Sequence, residues 1–389
     1  MIGFDDGTEK SRTLDGKPVA EINSNLAATT ADITTAHRLA ANADIAFMGD
    51  TKGGPFDIPE GQALAMVRAP NPHRRPNSDV IVPWVNGLDV TRRQRQMFII
   101  DFPSGTSETD VSKYEAPFRH VVMIVKPQRD MSRTTVGIYW QHERVREDMR
   151  VALVPLSRFL TTVRVSKYRV FKWFEAPTLP DSSTFAFARD DDYFFGVLHS
   201  RFHEVWARAQ GTQVRERESG FRYTPTSCFE TFPFPEPTDE QKIDISTAAN
   251  ELNELRENWL NPPEWTTTRM IEFPGATDGP WSRFVVDPDA RGIGTVRYPR
   301  VEARDDDCAK KLAKRTLTNL YNERSAWLAN AHAKLDAAVA AAYSFPVDLT
   351  DEQILERLLA LNQQRAADEE PARKKQPRVS RAKTDEELV

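Results

Sequence analysis

Asn261-Pro262-Pro263-Glu264 is the stretch of this sequence nearest to a catalytic motif. An Asn-Pro-Pro-aromatic loop after a strand can hold a base flipped out of a duplex. The Asn side chain and a proline carbonyl accept hydrogen bonds from the exocyclic amine, and the aromatic ring stacks on the base. Here the fourth residue is Glu, and the preceding ELNELRENWL has a helical pattern. The tetrapeptide therefore reads as a loop that ends a helix. Gly292-Ile293-Gly294 is a bare GxG followed by strand-like TVRYPR, without the helix that a phosphate-binding loop needs. Lys52-Gly53-Gly54 lacks the residue order of a P-loop. His199 and His203 have the i, i+4 spacing of a metal pair, but no third ligand is evident, so they read as satisfied or surface histidines. Neither Cys228 nor Cys308 has the nearby His or Asp that would make it a nucleophile.

Arginine offers a different chemistry. A guanidinium can read guanine through two parallel hydrogen bonds in the major groove, and Asn or Gln can read adenine. Arg74-Arg75, Arg92-Arg93 with Arg95, and Arg215-x-Arg217 with Arg222-Tyr223 lie in connections that contain Pro, Gly or Asn. Between Arg119 and Trp173, twelve Lys and Arg stand against four acids, a local +8 in a chain of net charge −5. A basic region in an acidic chain is the footprint of a polyanion binder, and equally of a solvated face.

These residues need elements to hold them. EGQALAMVRA, residues 60–69, predicts a helix, and a proline-rich loop containing Asn77 follows. IVPWV and MFIIDF predict strands, with TRRQR at 91–95 between them. YEAPFRHVVMIVKPQRD predicts a helix that Pro127 ends. Residues 159–174 alternate as one strand with a slip near Ser166–Lys167. Arg164, Lys167, Arg169 and Lys172 fall mostly on one face of it. The acids 190–192 cap a single helix ending at Gly211. RERESGFRYTPTSCFETFPFPEP then marks a domain boundary. Helices at 241–260, 308–342 and 351–365 follow, with a hairpin over 283–298 and a disordered polar tail from about Ala366. The first fifty residues read as strand edges whose partners are missing, with Ile22, Leu26, Ile45 and Phe47 as exposed apolar positions.

The whole chain has 389 residues, 40% hydrophobic and 28% charged, as in ordinary soluble proteins. No run approaches the ~20 apolar residues of a membrane span. The N-terminus has no secretory signal pattern. Two distant cysteines exclude a disulfide framework and fit a cytoplasmic location.

GFDDG, RTLDGKPV, AFMGDTKGGPFDI, RPNSDVIVPWVNGLDVTRR and the run FARDDDYFFGVLHSRFHEVWARAQGT…RYTPTSCFETFPFP carry a resemblance. Over residues 2–365 they resemble the C-terminal half of MmeI-like adenine-specific DNA methyltransferases of type II restriction–modification and phage-defence systems. The resemblance implies the order methyltransferase core, target recognition domain, helical C-terminal domain. In that family the S-adenosylmethionine loop and the Asn-Pro-Pro-aromatic motif lie upstream of GFDDG, which only Met1-Ile2 precede here. The resemblance therefore implies that this chain lacks catalytic and cofactor-binding residues. S-adenosylmethionine would belong to a catalytic half that is encoded separately or lost.

The expectation is an α+β protein. Residues 1–50 would be the last strands of a truncated methyltransferase sheet, 51–235 a target recognition domain, 236–365 a helical domain and 366–389 a basic tail. Its function would be sequence-specific recognition of double-stranded DNA, with a separately encoded methyltransferase core as a possible partner and no membrane. The expected DNA contacts are Arg74, Arg75, Asn77, Arg92, Arg93 and Arg95, the strand residues Arg164, Lys167 and Arg169, and Arg215, Arg217, Arg222 and Tyr223. The alternatives are a complete S-adenosylmethionine-dependent methyltransferase acting alone, or a truncated product without function.

Overall fold

A computed structural model describes residues 11–14, 17–19, 22, 31–131, 138–213 and 220–373. The hairpin β1 (Arg12–Leu14) and β2 (Lys17–Val19) comes first. β3 (Ala46–Met48), β4 (Asp57–Pro59), α1 (Glu60–Arg68), β5 (Ile81–Val85), α2 (Gly87–Thr91) and β6 (Met97–Ile100) follow. Next come α3 (Glu108–Val111), α4 (Glu115–His120), a π turn over Val121–Val125, α5 (Lys126–Asp130) and α6 (Glu147–Leu153). Strands β7 (Arg158–Val163), β8 (Val165–Ser166), β9 (Phe171–Glu175), β10 (Leu179–Pro180) and β11 (Thr184–Phe187) precede α7 (Asp192–His199) and α8 (Arg201–Gln210). β12 (Thr212–Gln213), β13 (Phe221–Arg222), α9 (Asp239–Leu260), β14 (Thr266–Ala276), β15 (Val285–Val286) and β16 (Ile293–Ala303) lead into α10 (Asp306–Ala313), α11 (Leu317–Glu323), α12 (Ala326–Tyr343) and α13 (Asp351–Arg373). The class is α+β, as the sequence pattern implies.

The sheet β3-β11-β7-β9 lies at the centre and is buried on both faces. Leu160, Phe171, Phe185 and Phe187 point into one core, with Phe194, Phe195, Trp206, Leu252 and Leu335 of the helices. Phe159, Phe174 and Ala186, one residue out of step, point into a second core with Trp84, Phe98 and Ile99. This is the period of two expected of strands, here serving two interiors. The run 159–174 is not one strand with a basic face. β7 and β9 pair antiparallel, from Arg158↔Glu175 to Thr162↔Phe171, and the chain turns back between them. The second core explains the difference, because it covers the face that the sequence leaves to solvent.

Three other expectations are corrected. The helix does not end at Pro127. The wide π turn precedes it, so Pro127 falls in the first turn of α5, where an N–H is dispensable. The single helix before Gly211 is two helices, because Ser200 takes an extended backbone and its hydroxyl caps α8 at the His203 amide. The expected hairpin over 283–298 is present as β15 against β16, Val285↔Val296 and Val286↔Thr295, but it is the edge of a longer one. β14 pairs with β16 from Thr266↔Ala303 to Ala276↔Ile293, and Ile271, Phe273, Val296 and Tyr298 join the second core. Trp281 anchors this hairpin, donating its indole N–H to the Ile81 carbonyl at 2.9 Å.

β3 is not left without a partner, since it pairs with β11, and Ile45 and Phe47 are partly buried. The Asn42 amide donates to the carbonyls of Phe229 and Phe232, at 3.1 and 2.7 Å. The Asn362 amide of α13 donates to His37 and Thr231, both at 2.7 Å. Leu26 lies outside the described residues. α13 continues through Ala366 to Arg373, and the rest of the expected tail lies outside the described residues.

Three histidines of the helical half are held neutral. Burial depresses His199 well below its ordinary 6.5, with the nearby Arg256 charge adding to it. Burial takes His203 down to about 3 and His332 to about 4. The unfolded chain therefore binds more protons than the folded one below pH ~6.5, and stability falls as the pH drops toward the folded values. Asp336, raised by burial from 3.8 to about 6, works in the opposite sense over a narrower window. Urea unfolding at pH 5 is expected to show a loss of roughly 2 kcal/mol per histidine relative to pH 7.5, offset in part by Asp336. A midpoint that is flat or higher at pH 5 contradicts this.

Candidate nucleic-acid interface

A small three-stranded sheet, β12-β13-β8, gathers residues far apart in the chain. β8 and β13 pair antiparallel, Ser166 opposite Phe221 and Val165 opposite Arg222. The Tyr223 amide extends the ladder to the Arg164 carbonyl at 2.9 Å. Arg164 and Lys167 are therefore brought beside Arg222, a juxtaposition that the sequence does not display. Lys167 is exposed, its Nζ donating to Asn322 Oδ1 at 2.8 Å, and Val165 beside it is 40% exposed. Gly211 introduces β12 where a Cβ would collide with the Phe221 ring. Arg208 of α8 also belongs here, donating to the Lys167 carbonyl at 3.3 Å. The sequence hides it, because with Glu204 it looks like an ordinary exposed helical ion pair.

Arg169 and Tyr223 do not lie on this surface. Arg169 is buried beneath it, its guanidinium 5.1 Å from the Phe221 ring centre and 4.7 Å from that of Tyr223. It donates to the Val163 carbonyl and, at 3.0 Å, to Thr162 Oγ1. Burial pulls it down to about 10. The Tyr223 hydroxyl donates to His203 Nε2 at 3.1 Å, since Nδ1 of that ring is committed to the Leu198 carbonyl at 2.9 Å. Both residues support the small sheet from below. Their burial follows from the first core, to which Phe221 and Tyr223 belong. Arg215 and Arg217 lie outside the described residues.

The other expected contacts divide. Asn77 is buried and its amide holds the end of α1, donating to the carbonyls of Met66 and Ala69 at 3.0 and 3.3 Å. Arg95 is tied to the buried carboxylate of Asp89, which caps α2. Arg93 is half-buried, its Nε donating to Asn261 Oδ1 at 2.8 Å. Burial lowers its pKa. Arg75 pairs with Asp79 at 2.7 Å and Asp278 at 3.3 Å. Arg74 and Arg92 are exposed. The local +8 is not a surface stripe. Arg129 is buried among carbonyls, Arg150 bridges Asp50 and Asp101, and Lys172 is buried with its Nζ on the Asp89 and Arg92 carbonyls.

The catalytic-looking motifs have structural employment. Asn261 ends α9, accepting from Arg93 and donating to Glu257 at 3.2 Å. Gly292, at φ 78°, makes the turn into β16, and no helix follows. His199 Nδ1 meets the Phe195 carbonyl, and His199 Nε2 accepts from the Phe171 amide at 3.1 Å and from Arg256 at 2.7 Å. No cluster of three or more metal-ligating side chains occurs among the described residues. Cys228 is buried and its thiol pushed up by burial. No described helix is long and apolar enough to cross a membrane.

Support and surface should separate on mutation. Arg169→Ala opens a cavity between two rings and frees two acceptors, and is expected to cost about 2–4 kcal/mol in urea unfolding. Lys167→Ala is expected to stay within about 0.5 kcal/mol of the parent. Equal effects would contradict the assignment of Arg169 to the interior.

The family described as "MmeI, target recognition domain" matches residues 126–236, which include β7 to β13. DNA methyltransferase A of Bacillus subtilis (strain 168) is 35% identical over 65 residues, 17% of this chain and 7% of that protein. The structure of the Type IIL restriction-modification enzyme MmeI in complex with DNA aligns with a TM-score of 0.61 at 15% identity, covering 90% of this chain and 39% of that one. At that identity the likeness is one of fold. The chain spans a minor part of each of these two proteins. It carries an MmeI-like target recognition domain over residues 126–236, within an α+β fold like that of MmeI.

Proposed function

We propose that this chain recognises double-stranded DNA in a sequence-specific way, as the specificity portion of an adenine-specific DNA methyltransferase of the restriction–modification type. The match of residues 126–236 to a target recognition domain carries this reading. The small sheet inside that match, with Arg164, Lys167, Arg208 and Arg222 about it, is the surface proposed to meet the duplex. Cations there would hold phosphates and fix register, while guanidinium and amide groups reading base edges would choose the site. A catalytic part binding S-adenosylmethionine, and flipping and methylating the adenine, is proposed to lie outside these 389 residues. The structural roles of Asn261 and Gly292 support that division.

Selection from a random duplex pool, followed by fluorescence anisotropy over a range of salt, tests the reading. The parent is expected to enrich a defined site. Lys167→Ala is expected to weaken all duplexes alike and to flatten the log–log salt slope by roughly one unit. Calorimetric titration with S-adenosylmethionine is expected to show no binding. Micromolar binding would favour a complete methyltransferase, and a parent that binds no duplex would overturn the proposal.

A further inference from the structure

Four arginines, three from the end of α1 and its following loop and one from a distant hairpin, surround one shallow concavity of about 200 Å³. Arg68 closes α1, Arg74 and Arg75 belong to the loop after it, and Arg291 stands at the turn of the β14–β16 hairpin. The remaining lining is apolar or proline, apart from Asn71, and no carboxylate lines it. Acids stand beside two of the four arginines, Asp79 buried and Asp278 and Asp289 exposed. Asp79 and Asp278 hold Arg75, and Asp289 holds Arg291 at 2.7 Å. The buried Asp79 carboxylate fixes the Arg75 guanidinium in place, as preorganisation requires. Arg68 spends only Nε, on the Glu272 carbonyl at 3.0 Å, leaving both Nη groups for an outside acceptor. The Arg74 guanidinium makes no hydrogen bond to the described residues.

Arg74 has a second peculiarity. Its φ is 66°, in the left-handed region where a residue with a Cβ is strained and glycine is not. Its backbone makes one long hydrogen bond, to the Asn71 carbonyl at 3.4 Å. A position that glycine would fill better is held by an exposed arginine over an arginine-lined concavity. Strain retained at a surface position points to work done by the side chain.

We propose that this concavity is a second phosphate-binding site, outside the matched recognition domain, which holds the backbone of the bound duplex away from the base-reading surface. This rests on the DNA-recognition reading. The geometry suits a tetrahedral oxyanion, because guanidinium forks match phosphate oxygens. Contacts of this kind position a duplex without reading it. The site would therefore contribute to affinity and register, and not to the choice of sequence.

The full chain and Arg74→Gly, Arg68→Gln and Arg291→Gln variants test it by anisotropy on the selected duplex and on a scrambled one. Each variant is expected to weaken both duplexes by the same factor, roughly three- to tenfold at low salt, and to flatten the salt slope by roughly one unit. Arg74→Gly should at the same time leave the melting temperature unchanged or raise it, since strain is relieved. Opposite movements of binding and stability are what a merely structural arginine cannot give. If the parent binds duplex and all three variants bind it equally with unchanged slopes, the second site is overturned and the recognition reading stands. If the parent binds no duplex, both fail. Melting in millimolar inorganic phosphate gives a further arm. Stabilisation of the parent but not of Arg68→Gln, with duplex binding unaffected by any variant, would mark a free-phosphate site and also overturn the proposal.

Discussion

The Arg256 guanidinium has no exposure to solvent, and it ties together three elements that make the rest possible. From α9 it donates to the Phe171 carbonyl of β9 at 2.9 Å and to His199 Nε2 of α7 at 2.7 Å. His199 takes the Phe171 amide as well, so both backbone groups of one strand residue are satisfied by helices. A strand at the sheet edge would otherwise bury an unpaired donor and acceptor, each costing about 1–3 kcal/mol. The arrangement works only with a neutral imidazole whose Nε2 carries a lone pair, which burial beside a cation enforces. With β9 fixed, β7 is registered against it, and the turn between them carries Arg164 to Arg169 to the small sheet. The surface of the recognition domain thus depends on a residue of the helix that follows it.

Cations in this chain do two jobs that composition cannot separate. Arg129, Arg150, Arg169, Lys172, Arg256 and Arg300 are wholly or largely buried against carbonyls, carboxylates and aromatic faces, with Arg169 Nε and Nη2, Arg256 Nε and Arg300 Nη2 left without a hydrogen-bond partner among the described residues. Planar, weakly hydrated guanidinium groups suit that use, which helps explain why Arg outnumbers Lys in the interior. Arg164, Lys167, Arg208 and Arg222 sit about a ladder only two residues wide, where the chain provides charge but little core. Of the interior set, Arg169 packs directly beneath the narrow sheet, against Phe221 and Tyr223.

Much of this was legible in the residues, for identifiable reasons. α1, α9 and the strands β5 and β6 follow from local periodicity and end signals, and they appear where the pattern puts them. The run 159–174 misleads because two antiparallel strands and their turn keep an approximate alternation. Nothing local says that a second core waits behind the sheet. Asn77, Arg95 and Tyr223 look like loop residues for the same reason. Their partners, from the end of α1 to Asp89 and His203, are set by packing that a single sequence does not display. The helix-ending role of the Asn-Pro-Pro-Glu stretch was readable, because the preceding helix has a plain pattern. Its contact with Arg93, 168 positions away, was not.

Hydrogen–deuterium exchange of the full chain, with and without a selected duplex, tests most directly the claim that the small sheet faces DNA. Amides in 163–168 and 221–224 are expected to exchange more slowly when the duplex is bound. The amide of Phe171, already shielded by His199, should not change. Bound duplex that leaves 163–168 and 221–224 unprotected, while slowing exchange elsewhere, would contradict the account.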